Sequence, residues 1–167
     1  MDLLARLVKN PSWCATVADE CAMSSRIPDL EDMSVANGIF GDPLFPETPA
    51  EHLLTQTYRM KLSRPGDPPH KNLGEAETLA IIHSRGMRAV FFTDDGGPAG
   101  LLVGSGTDGP AVQIAGTWEL LRVAYRAGFV DSDTLWSYVS ILRGKNRHLP
   151  PGDASHRRPA FDVWLTA

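Results

Sequence analysis

Cysteine is scarce in this sequence: Cys14 and Cys21 are the only two among 167 residues. No CxxC or Cys/His spacing surrounds them, which excludes a zinc ribbon and a disulfide framework. They read as reduced thiols of a cytoplasmic protein. The histidines, His52, His70, His83, His148 and His156, lack ligand spacing as well. Long apolar runs are missing too. Nothing approaches the roughly 18 consecutive apolar residues of a membrane span, and the N-terminus lacks the charged-then-apolar pattern of a signal peptide, so no membrane partner is expected. Nor is there a surplus of positive charge: 16 Lys and Arg stand against 20 Asp and Glu. A tight, non-specific grip on a phosphate backbone is therefore disfavoured, although a local basic surface stays open. Internal repeats are absent. So are a P-loop and an Asp-x-Asp-x-Thr motif, which removes support from a phosphotransfer or phosphoacceptor reading.

What is present suits one well-buried core: 43% of residues are hydrophobic and 22% charged, and a single domain is the default. The acidity is uneven. Residues 1–70 carry six basic against ten acidic side chains, while residues 71–167 carry ten of each.

Apolar spacing predicts a short helix over residues 2–9, ended by Asn10-Pro11. Trp13 to Val17 reads as a buried strand, and Ala18 to Ser25 as a helix with Glu20 in its first turn. Residues 37–49 hold three prolines and two glycines and read as a loop. Over Leu54 to Leu62, Tyr58, Met60 and Leu62 alternate with Thr57, Arg59 and Lys61, which favours a half-exposed edge strand. A helix from Glu75 to Ser84, a strand from Arg88 to Phe92, a Gly-rich piece from Gly96 to Gly109 and a short strand at Ala111 to Ala115 follow. Thr117 stands where an N-cap belongs for a helix Trp118 to Ala127 closed by Gly128, and Asp131-Ser132-Asp133 caps the next, Thr134 to Leu142. Residues 143–167 form a basic, Pro/Gly-rich tail in which Ala160 to Leu165 has strand character. Alternating strands and helices imply a three-layer α/β/α domain.

Two acid clusters carry the chemistry. Asn72-Leu73-Gly74-Glu75-Ala76-Glu77 is an acid-rich helix start, and Thr93-Asp94-Asp95-Gly96-Gly97 follows the apolar run 87–92 at a strand's carboxyl end. In α/β sheets that edge binds ligands. Carboxylates crowded there repel one another unless a cation lies between them, which points to metal-dependent chemistry on a phosphate. At roughly 100° per residue, Glu75 and Glu77 point about 200° apart, so only one joins a common site. Glu75 is favoured, with Glu77 its solvated companion. Successive strand residues face opposite sides, so one of Asp94 and Asp95 reaches the site and the other caps or orients the next segment.

The order Leu73-Gly74-Glu75-Ala76-Glu77, helix, strand ending Thr93-Asp94-Asp95, strand leading to Gly116-Thr117, then Leu120-Leu121, Gly128-Phe129-Val130 and a capped helix resembles the C-terminal two thirds of a PIN-like domain. That family comprises small metal-dependent ribonucleases, many of them toxins of bacterial toxin–antitoxin pairs. The resemblance covers roughly residues 3–142. It implies a mostly parallel central sheet with an acidic site at its carboxyl edge, Mg2+ or Mn2+ as cofactor and RNA as substrate. An antitoxin protein or a second copy of the chain would be its partner. Carried over residue by residue, the metal ligands and catalytic acids fall on Glu20, Glu75 and either Asp94 or Asp95, with Asp94 taken as the ligand and Asp95 as its support. Asn72 and Thr117 lie close to substrate, Asn72 standing where related sequences often have Asp and so losing a charge.

A PIN domain opens with a strand ending in its first catalytic Asp, whereas this sequence opens at the helix that follows. Either the chain starts late, at an internal methionine, or another segment fills the slot. Ala160 to Leu165 is the only unassigned run with strand character, and Asp162 on it could then supply the acid. The basic residues Arg143, Lys145, Arg147, His148, Arg157 and Arg158 would hold an RNA backbone if they share a rim with the acids. A catalytically inactive PIN-like module that binds RNA or protein is the alternative, favoured by the absent first Asp, by Asn72 and by the acidic balance.

Overall fold

In the computed structural model, which describes residues 2–28, 30–103 and 112–167, the chain is mostly helical. It divides into two units, one ending at Ile114 and the other running from Ala115 to Ala167. The first contains α1 (Asp2–Leu7), α2 (Ala15–Ser24), a 3-10 turn at Glu31–Val35, α3 (Ala36–Phe40), α4 (Pro49–Leu62), α5 (Leu73–Ser84), β1 (Ala89–Phe92), α6 (Gly97–Val103) and β2 (Val112–Ala115). The second holds α7 (Thr117–Arg126), α8 (Ser132–Gly144), a 3-10 turn at Gly152–Ser155 and α9 (Arg158–Thr166). Among the described residues no helix is long and apolar enough to cross a membrane.

The expected three-layer α/β/α domain with a central sheet is overturned: the described sheet is a single parallel pair, β1 and β2. Three segments read as strands do not form them. Trp13 to Val17 contributes one isolated parallel bridge, Cys14 to Leu44, and then turns into α2 at Ala15 rather than at Ala18. Leu54 to Leu62 is the second half of α4. Its Leu54, Tyr58 and Leu62 recur every fourth residue and meet one core, and the short alternation around them is incidental to that spacing. The helix start is written locally as well. Thr48 Oγ1 accepts from the Glu51 backbone N–H at 3.2 Å, Glu51 returns a carboxylate to the Thr48 N–H at 3.2 Å, and Pro49 follows the cap. Ala160 to Leu165 belongs to α9, where Phe161 and Leu165, one turn apart, are fully buried. Asp162 accordingly pairs with Arg158 one turn earlier, at 2.9 Å, and supplies no acid to a sheet. Of the Gly-rich stretch, residues 104–109 lie outside the described residues, as does Ala111.

The first unit is organised around α4 and α5. Tyr58, Ala76, Leu79, Ala80, Ile82 and Phe91 form its core, with Leu62, Leu101 and Val112 against them. Ala76 and Ala80, both fully buried, are small enough to let the two helices approach closely. The ends of the pair are fastened. At one, Asn72, in the left-handed conformation (φ 58°), donates Nδ2 to the Leu62 carbonyl at 2.9 Å. At the other, Arg85 Nε donates to Glu51 Oε1 at 2.8 Å. That Arg85 contact, with the Glu47 and Thr48 amides, holds the Glu51 carboxyl well below its usual range, at about 2.

The second unit packs Trp118, Leu135, Val139, Ala154, Phe161 and Leu165 into a core of its own. Trp118 meets Phe161 edge-on at 6.1 Å and donates Nε1 to the His148 carbonyl at 3.1 Å, so its buried N–H is satisfied. Of the expected capping run Asp131-Ser132-Asp133, Asp131 is the cap, accepting from the Thr134 N–H at 2.7 Å, and α8 begins at Ser132. The N-cap of α7 is Gly116, whose N–H donates to Glu119 at 2.9 Å, and Thr117 is the first helical residue instead.

Candidate acidic cleft

Helices α2 and α5 meet at Gly74. A Cβ there would stand 2.9 Å from Val17 Cγ2, so only glycine permits this approach without displacement. Beside the crossing, Val17 and Glu20 of α2, Gly74, Glu75 and Thr78 of α5, and Phe91, Phe92 and Thr93 at the end of β1 line a cleft of about 140 Å³. The spacing explains the lining. Val17 and Glu20 are three apart on one helix face, and Gly74 and Thr78 four apart on another.

Glu75 is half-buried and Glu20 exposed. Burial pushes the Glu75 carboxyl above its ordinary range, its own backbone N–H partly offsets this, and the charges of Asp95 and then Glu20 push it up further. Two neighbouring carboxylates therefore bear on Glu75, and one of them, Glu20, shares the cleft wall with it. Among the described residues neither Glu20 nor Glu75 forms an ion pair. Asp95 is committed to the backbone: its Oδ1 accepts from the Gly97 N–H at 3.0 Å at the start of α6, while its own N–H donates to Thr93 Oγ1 at 3.1 Å. Asp94 is exposed, one residue beyond the lining.

Glu77 contradicts its expected role as a solvated companion. Only 6% exposed, it accepts at Oε1 from the Ala15 N–H at 3.1 Å and at Oε2 from the Thr16 hydroxyl. It thus puts a carboxylate at the N-terminus of α2, which has no side-chain cap of its own. A signal for this exists in the sequence: α5 is apolar on nearly every side, so a residue opposite Glu75 points into the protein. Beneath it Cys14 is buried, its Sγ donating to the Gly74 carbonyl at 3.4 Å, and burial pushes its thiol up.

Asn72, expected close to substrate, instead clamps the α4–α5 connection and is not part of the lining. Thr117 opens α7 in the second unit. Much of the basic stretch is engaged there too. Arg143 donates to the Ser155 carbonyl, Arg157 pairs with Asp153, and Arg158 pairs with Asp133 at 2.7 Å while also donating to Ser132 Oγ at 2.8 Å.

Carboxylate oxygens suit a hard cation, and Mg2+ commonly takes one or two protein carboxylates while keeping several waters. Glu20 and Glu75, acidic and without a cationic partner among the described residues, fit that pattern. A fuller ligand set is not formed: among the described residues no three Asp, Glu, His or Cys side chains are grouped closely enough to hold a metal ion. No protein-family model matches the chain, and no curated protein or solved structure was found to be similar to it.

Proposed function

We propose that this protein binds Mg2+ or Mn2+ between Glu20 and Glu75 and acts as a metal-dependent ribonuclease. The observation that carries the reading is the half-buried Glu75 carboxyl, pushed up by burial, by Asp95 and by Glu20 in a cleft where neither cleft acid has a cationic partner among the described residues. Such a group gains most from a cation. When bound, the ion would act as a Lewis acid on a phosphate oxygen and lower the pKa of a bound water. The chain's own residues have separable tasks. Glu75 and Glu20 hold the ion, and the Asp95 turn, closed onto the Thr93 hydroxyl, fixes the end of β1 relative to α6. The toxin role and the antitoxin partner rest on the sequence resemblance alone.

The test is cleavage of a labelled RNA in Mg2+, Mn2+ or EDTA, by the wild-type chain and by Glu75→Gln. Metal-dependent cleavage lost in Glu75→Gln supports the proposal; cleavage that persists in EDTA, or in Glu75→Gln, refutes it. A binding module without chemistry is the second reading, favoured by the lack of a three-ligand group among the described residues. Metal-supported RNA binding without cleavage would select it.

A further inference from the structure

Along β1 the side chains alternate, and the two phenylalanines at its end are treated differently. Phe91 is 9% exposed and belongs to the core, whereas Phe92 is 40% exposed. Both line the cleft that holds Glu20 and Glu75. Phe92 takes part in no ring-to-ring contact among the described residues and leaves part of its surface open beside the two acids. A cleft with carboxylates on its wall repels a bare phosphate chain. Contacts that carry no charge escape that repulsion. Stacking on an aromatic ring is such a contact, and every base offers it.

We propose that Phe92 is the stacking platform for one base of a single-stranded RNA, placing the adjoining phosphate toward Glu20 and Glu75. This rests on the metal-dependent reading above and adds a substrate class to it. A duplex keeps both faces of its bases stacked internally and cannot use the ring. Selection of single strands over duplexes is the direct consequence.

The experiment is fluorescence anisotropy with the full chain in Mn2+, using a short labelled single-stranded RNA and the matching duplex, with strand integrity checked on a gel. Phe92→Leu keeps apolar bulk and removes the π-face, and Phe92→Trp enlarges that face. Single-strand affinity should fall about 5- to 150-fold in Phe92→Leu and be retained or improved in Phe92→Trp. Duplex binding should be equal in all three proteins. Mn2+ binding to the RNA-free protein, read by electron paramagnetic resonance, should be unchanged by either Phe92 substitution and weakened by Glu75→Gln. Equal single-strand affinity of wild type and Phe92→Leu, or no single-strand binding by wild type, overturns the stacking proposal whatever the metal result. Absence of bound Mn2+ in wild type ends the metal reading instead, and Phe92-dependent binding would still uphold the platform.

Discussion

Replacing Gly74 with alanine tests the helix crossing on which the cleft is built. Alanine is favoured over glycine inside a helix by about 0.8–1 kcal/mol, so on propensity alone Gly74→Ala should stabilise the protein. The new Cβ would stand 2.9 Å from Val17 Cγ2, short of the ordinary 3.5–4.0 Å carbon contact by about 0.6–1.1 Å. Val17 cannot easily yield, because a β-branched side chain in a helix has one strongly preferred rotamer. Overpacking of this kind costs about 1–3 kcal/mol. The net expectation is a loss of about 0–2 kcal/mol, with α2 pushed away from α5 and Glu20 away from Glu75. Urea denaturation of wild type, Gly74→Ala, Val17→Ala and the double variant closes a cycle. The methyl at 74 should be tolerated far better once Val17 is truncated, giving a coupling of about 0.5–3 kcal/mol. Stabilisation of Gly74→Ala by the full propensity gain, with additive behaviour in the cycle, would refute the crossing. Mn2+ affinity should weaken in Gly74→Ala, which ties the packing to the site.

Glu77→Ala leaves the Ala15 N–H and the Thr16 hydroxyl without their acceptor and should destabilise by about 1.5–3 kcal/mol. Thermal unfolding checks this, with Glu77→Gln losing less; a neutral Glu77→Ala would mean that α2 does not need the cap. Acid unfolding separates two carboxyls of opposite sign. The Glu51 carboxyl lies at about 2 against an ordinary 4.5, so its contribution is present above pH 4.5 and lost as pH falls toward 2. Glu51→Gln should flatten that acid limb. The Glu75 carboxyl is raised, so its ionisation disfavours the fold as pH rises above 4.5 through its folded value. Glu75→Gln should therefore raise the melting temperature at neutral pH and abolish any gain from Mn2+, and a lower melting temperature at that pH would contradict the cleft's electrostatics. In the second unit Phe161 is fully buried between Trp118, Trp136 and Trp164. Phe161→Ala should cost about 3–5 kcal/mol and red-shift tryptophan emission, an outcome that unchanged emission would exclude.

The elements legible in the sequence are those whose signals are local. Helix α5, strand β1 and helices α7 and α8 follow from apolar spacing together with Asp131 as a cap and Gly128 (φ 71°) as a stop. Glu75 was readable as an acid at a helix start, whereas Glu20 was read as following a strand that does not form, and the fold brings both to one cleft. Where a segment is short, period two and period four coincide, and the pattern cannot choose. Over residues 54–62 the choice falls to Thr48 and Glu51 at the helix start and to the α5 face that receives Leu54, Tyr58 and Leu62. Over residues 160–165 it falls to the pocket that buries Phe161 and Leu165. Glu77 shows the limit most plainly, since its partners are 61 and 62 residues away. A carboxylate opposite Glu75 has no function until α2 begins beside it. Local backbone preferences act within a few residues and can be read from the chain alone. Which carboxylate is buried as a cap and which is left open to a cation depends on how α2 and α5 pack, and that is a property of the tertiary structure.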